Sequence, residues 1–255
     1  MLYRCTPVLI ALAAGCASKS DSDLAIPSPL DSGMYGPSGA MPNDGCITLN
    51  GEGGFSTIGD ALDWAQDGDT ISLCADEYTE RVVITKAVTI KGPTSGPPAI
   101  ISSPTDDSTL SIRADGVELS WLTINGPGNG IYIRDVDGVT LKVISFGSTG
   151  STAIRASGST NVLVQASSFQ GLENGVVHID EAGSMRVVNC TFEAIAGYAT
   201  RVRSGATLSL EGNDFYDNVE DAEGRNAAAR ATDNAFLYSS ANVFNGNTAE
   251  AISAS

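Results

Sequence analysis

The sequence predicts an all-β fold: a right-handed parallel β-helix, a solenoid of coils about 23 residues long, preceded by a short N-terminal capping helix. Three observations predict it. An apolar anchor recurs at Ile124, Phe146, Phe169, Phe192, Phe215 and Phe244, at intervals of 22, 23, 23, 23 and 29 residues. Around the anchors apolar and polar residues alternate, with Gly, Asn, Ser and Asp in the gaps, which is the pattern of short half-buried strands joined by turns. Ahead of the repeats, residues 55–65 carry apolar side chains at helical spacing, with Ser56 or Thr57 as N-cap.

Each repeat holds more than one strand. Seven residues before the anchors stand Val117, Val139, Val162, Met185, Leu208 and Leu237, and five before the first five stand Leu119, Leu141, Val164, Val187 and Leu210. Between anchors a second strand places Ile131 and Ile133, Ile154 and Ala156, Val177 and Ile179, and Thr200 and Val202 at matching positions. Six or seven coils follow from this spacing. A leucine-rich repeat would show its Leu/Asn signature at similar length, and a propeller blade needs roughly 40 residues. The phenylalanine column has the inward phase and is read as an internal stack.

The 255 residues carry 14 Lys and Arg against 30 Asp and Glu, a formal charge of −16. Nucleic-acid binding rests on clustered positive charge, so such a partner is not expected. No apolar run reaches the ~18 residues of a membrane-spanning helix. Residues 1–16, MLYRCTPVLIALAAGC, have one early positive charge, a short apolar core and small residues before Cys16. They resemble a bacterial lipoprotein signal. That resemblance implies a signal peptide over 1–15, lipidation of Cys16, and anchoring of an exported chain, with Ala17 directing it to the outer membrane. Residues 16–44, rich in Ser, Asp, Pro and Gly, cannot bury enough surface to offset chain entropy and are expected to be a disordered tether. The β-helix domain is expected over 45–255.

After the helical segment come Asp67-Gly68-Asp69-Thr70-Ile71-Ser72-Leu73, then Tyr78-Thr79-Glu80-Arg81-Val82-Val83-Ile84, then Val88-Thr89-Ile90-Lys91-Gly92. This run resembles the N-terminal cap and first coils of the pectin lyase-like superfamily. With the repeats, the resemblance spans residues 45–255. Cys46 and Cys74 flank the cap helix, and an oxidising compartment permits a disulfide between them; two separate buried thiols are the alternative. Cys190, two residues before Phe192, occupies a core position. No Cys/His spacing predicts zinc.

The resemblance implies activities that the residues do not support. The catalytic Asp-containing and Gly-Arg-Pro-Trp motifs of pectin methylesterase-like proteins have no counterpart. Nor do the polygalacturonase Asn-Thr-Asp, Asp-Asp and Gly-His-Gly motifs: the only Asp-Asp is Asp106-Asp107, and the lone histidine lies in Val177-His178-Ile179. One constellation comes from the repeat itself. Fourteen residues before successive anchors stand Tyr132, Arg155, His178, Arg201 and Arg230, and two further on stand Arg134, Ser157, Asp180, Arg203 and Thr232. With coils about 4.8 Å apart, these positions predict a ladder of cations on one outward face. Arg forks suit carboxylates and sulfates, so the face is read as a groove for an acidic polysaccharide. A catalytic version gives His178 or Tyr132 the proton transfer of a β-elimination, with Arg201 neutralising a uronate. The plain alternative is a solvated face, neutralised by Asp217, Glu220, Asp221 and Glu223.

No cofactor is expected. Asp135-Val136-Asp137-Gly138 and Asn213-Asp214 are read either as calcium ligands or as turn formers. The functional expectation is an exported, lipid-anchored, noncatalytic protein that binds polysaccharide or another surface molecule. A polysaccharide lyase or hydrolase is the enzymatic alternative. A third reading is architectural, with residues 249–253 as a further strand whose free edge permits self-association.

Overall fold

A computed structural model of the chain describes residues 41–179, 183–219, 227–248 and 250–254. The segment expected to be a signal, Cys16 and nearly all of the expected 16–44 tether lie outside the described residues. The last residues of the 16–44 segment do take part in structure: Gly54 donates to the Pro42 carbonyl at 2.7 Å, and Asp44 to the Gly54 carbonyl at 3.1 Å.

The strands form three faces. The first runs through Thr70–Ser72, Thr89–Lys91, the leading halves of Glu118–Gly126 and Thr140–Thr149, then Val162–Gln165, Ser184–Val188, Thr207–Glu211 and Phe236–Ser240. The second comprises Glu77–Thr79, Ala99–Ser102, the trailing halves of the same two long strands, Ser168–Gln170, Thr191–Glu193, Asp214–Tyr216 and Val243–Asn245. The third comprises Val82–Ile84, Leu110–Ile112, Ile131–Arg134, Thr152–Ser157, Asn174–Ile179, Thr200–Val202, Ala227–Ala231 and Glu250–Ala254. Pairing within each face is parallel. The eight strands of the third face bound seven complete turns.

The predicted repeat is the one observed. Ile124 pairs with Phe146, and the phenylalanines continue in register to Phe244. Their rings stack inside the solenoid at centroid distances of 4.9, 4.5, 4.9 and 4.7 Å. These spacings are close to the inter-strand distance, so each ring rides on its own strand. The stack demands glycine beside it: a Cβ on Gly130 would lie 3.0 Å from the Phe146 ring and 2.6 Å from the Ala153 carbonyl oxygen.

The helix Ile58–Trp64 closes the N-terminal end, burying Ile58, Ala61 and Leu62. Thr57 is its N-cap, accepting from the Asp60 amide at 3.0 Å. The first coil holds both of its ends. The Glu80 carboxylate accepts from the amides of Ile58 and Gly59 at 2.8 and 3.0 Å, and Lys86 Nζ donates to the carbonyls of Leu62 and Asp63 at 2.7 and 3.1 Å. These are the helix's orphan groups, met by charges of the sign its dipole favours. The Cys46–Cys74 disulfide is formed, joining the residue before the strand Ile47–Leu49 to the segment after Thr70–Ser72. Beside it, Tyr78 Oη accepts from the Cys74 amide at 3.0 Å, and burial pushes the Tyr78 phenol above its ordinary pKa.

Two inside corners flank the phenylalanine strand and carry ladders of their own. At the first, Leu122, Ile144, Ser167, Cys190, Asn213 and Asn242 succeed one another. Ile144 N–H donates to Ser167 Oγ, Ser167 N–H to Cys190 Sγ, Cys190 N–H to Asn213 Oδ1 and Asn213 N–H to Asn242 Oδ1. At the second stand Leu172, Ile195, Asn218 and Asn247, with Ile195 N–H donating to Asn218 Oδ1 and Asn218 N–H to Asn247 Oδ1. Each Asn side chain also donates back to a carbonyl of an earlier coil: Asn213 to Val187, Asn218 to Phe192. Cys190 is thus a core residue, and burial pushes its thiol up to about 11.

Candidate functional site

The third face alternates as its sequence requires. Ile131, Ile133, Ile154, Ala156, Val176, Thr200 and Val202 are buried, and the residues between them face out. The outward column reads Tyr132, Arg155, Val177, Arg201 and Arg230. This corrects the expected ladder at its third rung: Val177 stands where His178 was expected, and Val176, not Val177, pairs with Ile154. The interval from Phe169 to Val176 is one residue shorter than those from Phe146 to Ile154 and from Phe192 to Thr200. Equal spacing of the phenylalanines conceals the shift because a longer interval, Val176 to Met185, restores the register. The Cα of His178 therefore pairs with Ala156 and Val202, two buried positions. In the second column Arg134 pairs with Ser157, but Ser157 pairs with Ile179, and Asp180 lies outside the described residues. Arg203 follows the strand Thr200–Val202, and Thr232 follows its neighbour, donating to the Val202 carbonyl at 3.0 Å.

The catalytic candidates are not assembled. Tyr132 and Arg201 are three strands apart, roughly 14 Å at the usual inter-strand spacing. Arg134 is turned to its neighbour Asp135, 3.2 Å away on the exposed surface. The remaining cations do converge. Arg155, Arg201 and Arg203, with Thr152, Asn174, Val177 and Tyr198, line a cavity of about 180 Å³. Tyr198, supplied by the turn after Thr191–Glu193, organises it: its backbone N–H donates to Asn174 Oδ1 at 3.1 Å. Its ring lies under two guanidinium groups, Arg201 at 4.7 Å and Arg230 at 5.7 Å. Arg155 sits 5.8 Å from the Tyr132 ring. Stacking on an aromatic face holds the like charges of Arg201 and Arg230 on adjacent strands, and Arg230 Nη1 also donates to Tyr198 Oη at 3.5 Å. Among the described residues Arg155, Arg201 and Arg203 form no ion pair, and the buried Nε atoms of Arg201 and Arg203 make no hydrogen bond. Of the acidic insertion, Asp217 bonds through its backbone to Asn245; Glu220, Asp221 and Glu223 lie outside the described residues.

The arrangement can clamp an anion against an aromatic and apolar floor. Among the described residues the cavity's lining contains no carboxylate. Among the described residues no three His, Cys, Asp or Glu side chains are grouped to hold a metal ion. The clusters read as calcium ligands are engaged in turns: hydrogen bonds from Thr160 and Asn161 hold the Asp137 carboxyl below its usual pKa, and Asn213 belongs to the corner ladder. Sequence reasoning missed Tyr198, which lies off the repeat, and the corner ladders. The ladders had a visible signal in the matching Asn-x-Phe-x-x-Asn runs at 213–218 and 242–247.

A family model described as right handed beta helix region matches residues 108–255. A cell surface glycoprotein of Methanothermus fervidus is 33% identical over 95 residues, covering 36% of this chain and 16% of that protein, so the match spans about a sixth of the relative's length. Among solved structures, a pectin methylesterase from Yersinia enterocolitica aligns with TM-score 0.49 at 14% identity, over 72% of this chain and 81% of its own. A pectin methylesterase in complex with hexasaccharide VII aligns with TM-score 0.31 at 13% identity, over 72% and 77%.

Proposed function

We infer, on the premise that this chain belongs to the right-handed β-helix family, that it is an exported surface protein that binds an anionic polysaccharide on its third face without cleaving it. The observation that carries the reading is the cavity around Tyr198. A protein of charge −16 concentrates Arg155, Arg201 and Arg203 there without ion-pair partners among the described residues. Gathering like charges around one cavity is unfavourable unless an anion joins them, and carboxylates or sulfates spaced along a glycan fit the guanidinium forks. The disulfide supports an oxidising compartment, and the local similarity to a cell surface glycoprotein points the same way. Lipidation of Cys16 and anchoring at the outer membrane by the 16–44 tether complete the proposal. Lyase or hydrolase chemistry is less well supported, because His178 falls outside the arginine column.

The test is calorimetry of the full chain with polygalacturonate and a sulfated glycan, followed by chromatography of the polymer. Binding should weaken with salt and fall about 100-fold or more in Arg155→Ala/Arg201→Ala, the loss expected for two charge-assisted contacts, while the polymer stays intact. Shortened polymer would make the protein an enzyme; unchanged affinity in the variant would remove the site.

A second reading rests on a different observation. Phe236, Tyr238, Val243 and Ile252 are large and exposed, distributed over the three faces of the last described strands. They favour self-association through the C-terminal coil, which removal of those side chains would abolish in sedimentation experiments.

A further inference from the structure

Six coils turn from the first face to the second on a single residue with φ between 50° and 64°: Trp121, Val143, Ala166, Asn189, Gly212 and Ala241. This backbone region is open to glycine, tolerated by asparagine and strained for bulky or β-branched side chains. Gly212 and Asn189 obey that preference. Trp121 and Val143 violate it, and the two violations occupy one place. Together with Pro93 and Pro98 they line a cavity of about 190 Å³ on the corner. The segment 92–98 (Gly-Pro-Thr-Ser-Gly-Pro-Pro) contributes to this cavity, and Gly92 lets it approach, since a Cβ there would lie 2.1 Å from the Trp121 carbonyl oxygen. Trp121 is 38% exposed although its neighbour Leu122 is buried. The hydroxyl-bearing residues of the lining are Thr94, Ser95, Thr123 and Ser145, and no described lining residue is charged.

We propose that this corner seats one neutral sugar ring of a glycan, with Trp121 as the stacking platform. A strained residue persists where the surrounding structure enforces it, and such residues gather at ligand clamps. The solenoid has no need of an indole here, because four other coils turn the same corner on Ala, Asn or Gly. The C–H groups of a pyranose face carry slight positive charge and meet the negative face of the indole. The ring's hydroxyls find Ser and Thr partners. A charged sugar would be desolvated in this lining without a counter-charge, which selects against uronates. The volume lies below the ~300–1,000 Å³ of drug-sized pockets, so it accepts one ring of a chain that continues into solvent. This site is separate from the arginine face and does not depend on anion binding there.

The test is titration calorimetry of the full chain with cellohexaose, mannohexaose and maltohexaose, beside Trp121→Gly. Glycine accepts the corner's φ, so the variant is expected to melt at the same temperature or higher, while affinity for the oligosaccharide that binds falls at least tenfold. Tryptophan fluorescence of the unmodified chain should shift on binding, and the shift should vanish in Trp121→Gly, where Trp64 remains as an internal control. Three results would overturn the proposal: no heat and no fluorescence change with any of the three sugars; equal affinity in the variant; or a lowered melting temperature with binding unchanged, which would make Trp121 a packing residue. Binding of a proline-rich peptide in place of the sugars would likewise overturn it.

Discussion

In the upper coils the inside corners of the solenoid hold Leu122 and Ile144; in the lower coils the same corner holds Asn213 and Asn242. The second corner changes in the same direction, from Leu172 and Ile195 to Asn218 and Asn247. One backbone is therefore stabilised in two ways. Where the corner is apolar, stability comes from volume removed from water. Where it is asparagine, one side chain accepts from the N–H of the coil before and donates to that coil's carbonyl, so two buried backbone groups are satisfied together. The phenylalanine stack runs from the upper region into the lower and couples them.

The largest effect should come from cutting that coupling. Phe192→Ala removes the middle, fully buried ring of the stack and should cost about 3–5 kcal/mol in urea unfolding, as large-to-small core changes do. A loss below about 1 kcal/mol would mean that the rings merely accompany the strands. Next comes the contrast itself. Asn218→Leu imposes the upper solution on a lower corner: it leaves the buried Ile195 N–H without its side-chain acceptor and removes a hydrogen bond to the Phe192 carbonyl, at about 2 kcal/mol or more. Ile195→Asn, the reverse exchange, brings its own donor and acceptor and should cost less. Equal costs would erase the distinction between the two regions.

The smallest effect at neutral pH concerns Cys190, where the two solutions meet. Its thiol is raised from 9.0 to about 11 by burial, so the native state holds the proton after the unfolded chain has released it. The stability linked to this group is complete below pH 9 and is lost as the pH rises from 9 towards 11, at about 1.4 kcal/mol per pKa unit. Cys190→Ser keeps an acceptor for the Ser167 N–H and should show a shallower decline over that interval, with little change at pH 7. Parallel alkaline profiles for the two proteins would exclude the thiol as the cause.

The fold was legible because its period is carried by residues that cannot serve elsewhere. Phe146 to Phe244, Val162 to Leu237 and Leu119 to Leu210 all pair as their spacing predicts. The cap helix and its Thr57 were legible from apolar phase and hydroxyl position. The candidate site was legible only in part. Arg155, Arg201 and Arg230 lie on the expected face, but counting back from the phenylalanines assumed that every turn between faces has one length. It failed by one residue at His178. Tyr198 and Trp121 escaped for a related reason: both sit at turns or corners, where no periodicity marks a residue as outward.

That one-residue offset resembles a dislocation confined between two crystal planes. The strand Asn174–Ile179 is advanced by one position against its neighbours, yet Phe169 and Phe192 stack at 4.5 Å as if nothing had happened. A shortening before the strand and a lengthening after it cancel before the core is reached. Length changes in such a chain are silent to the interior when they arrive in compensating pairs, and each pair exchanges the inside and outside of one strand. A solenoid of this kind can acquire a new surface chemistry by a change of phase, without replacing a single side chain on the strand that displays it.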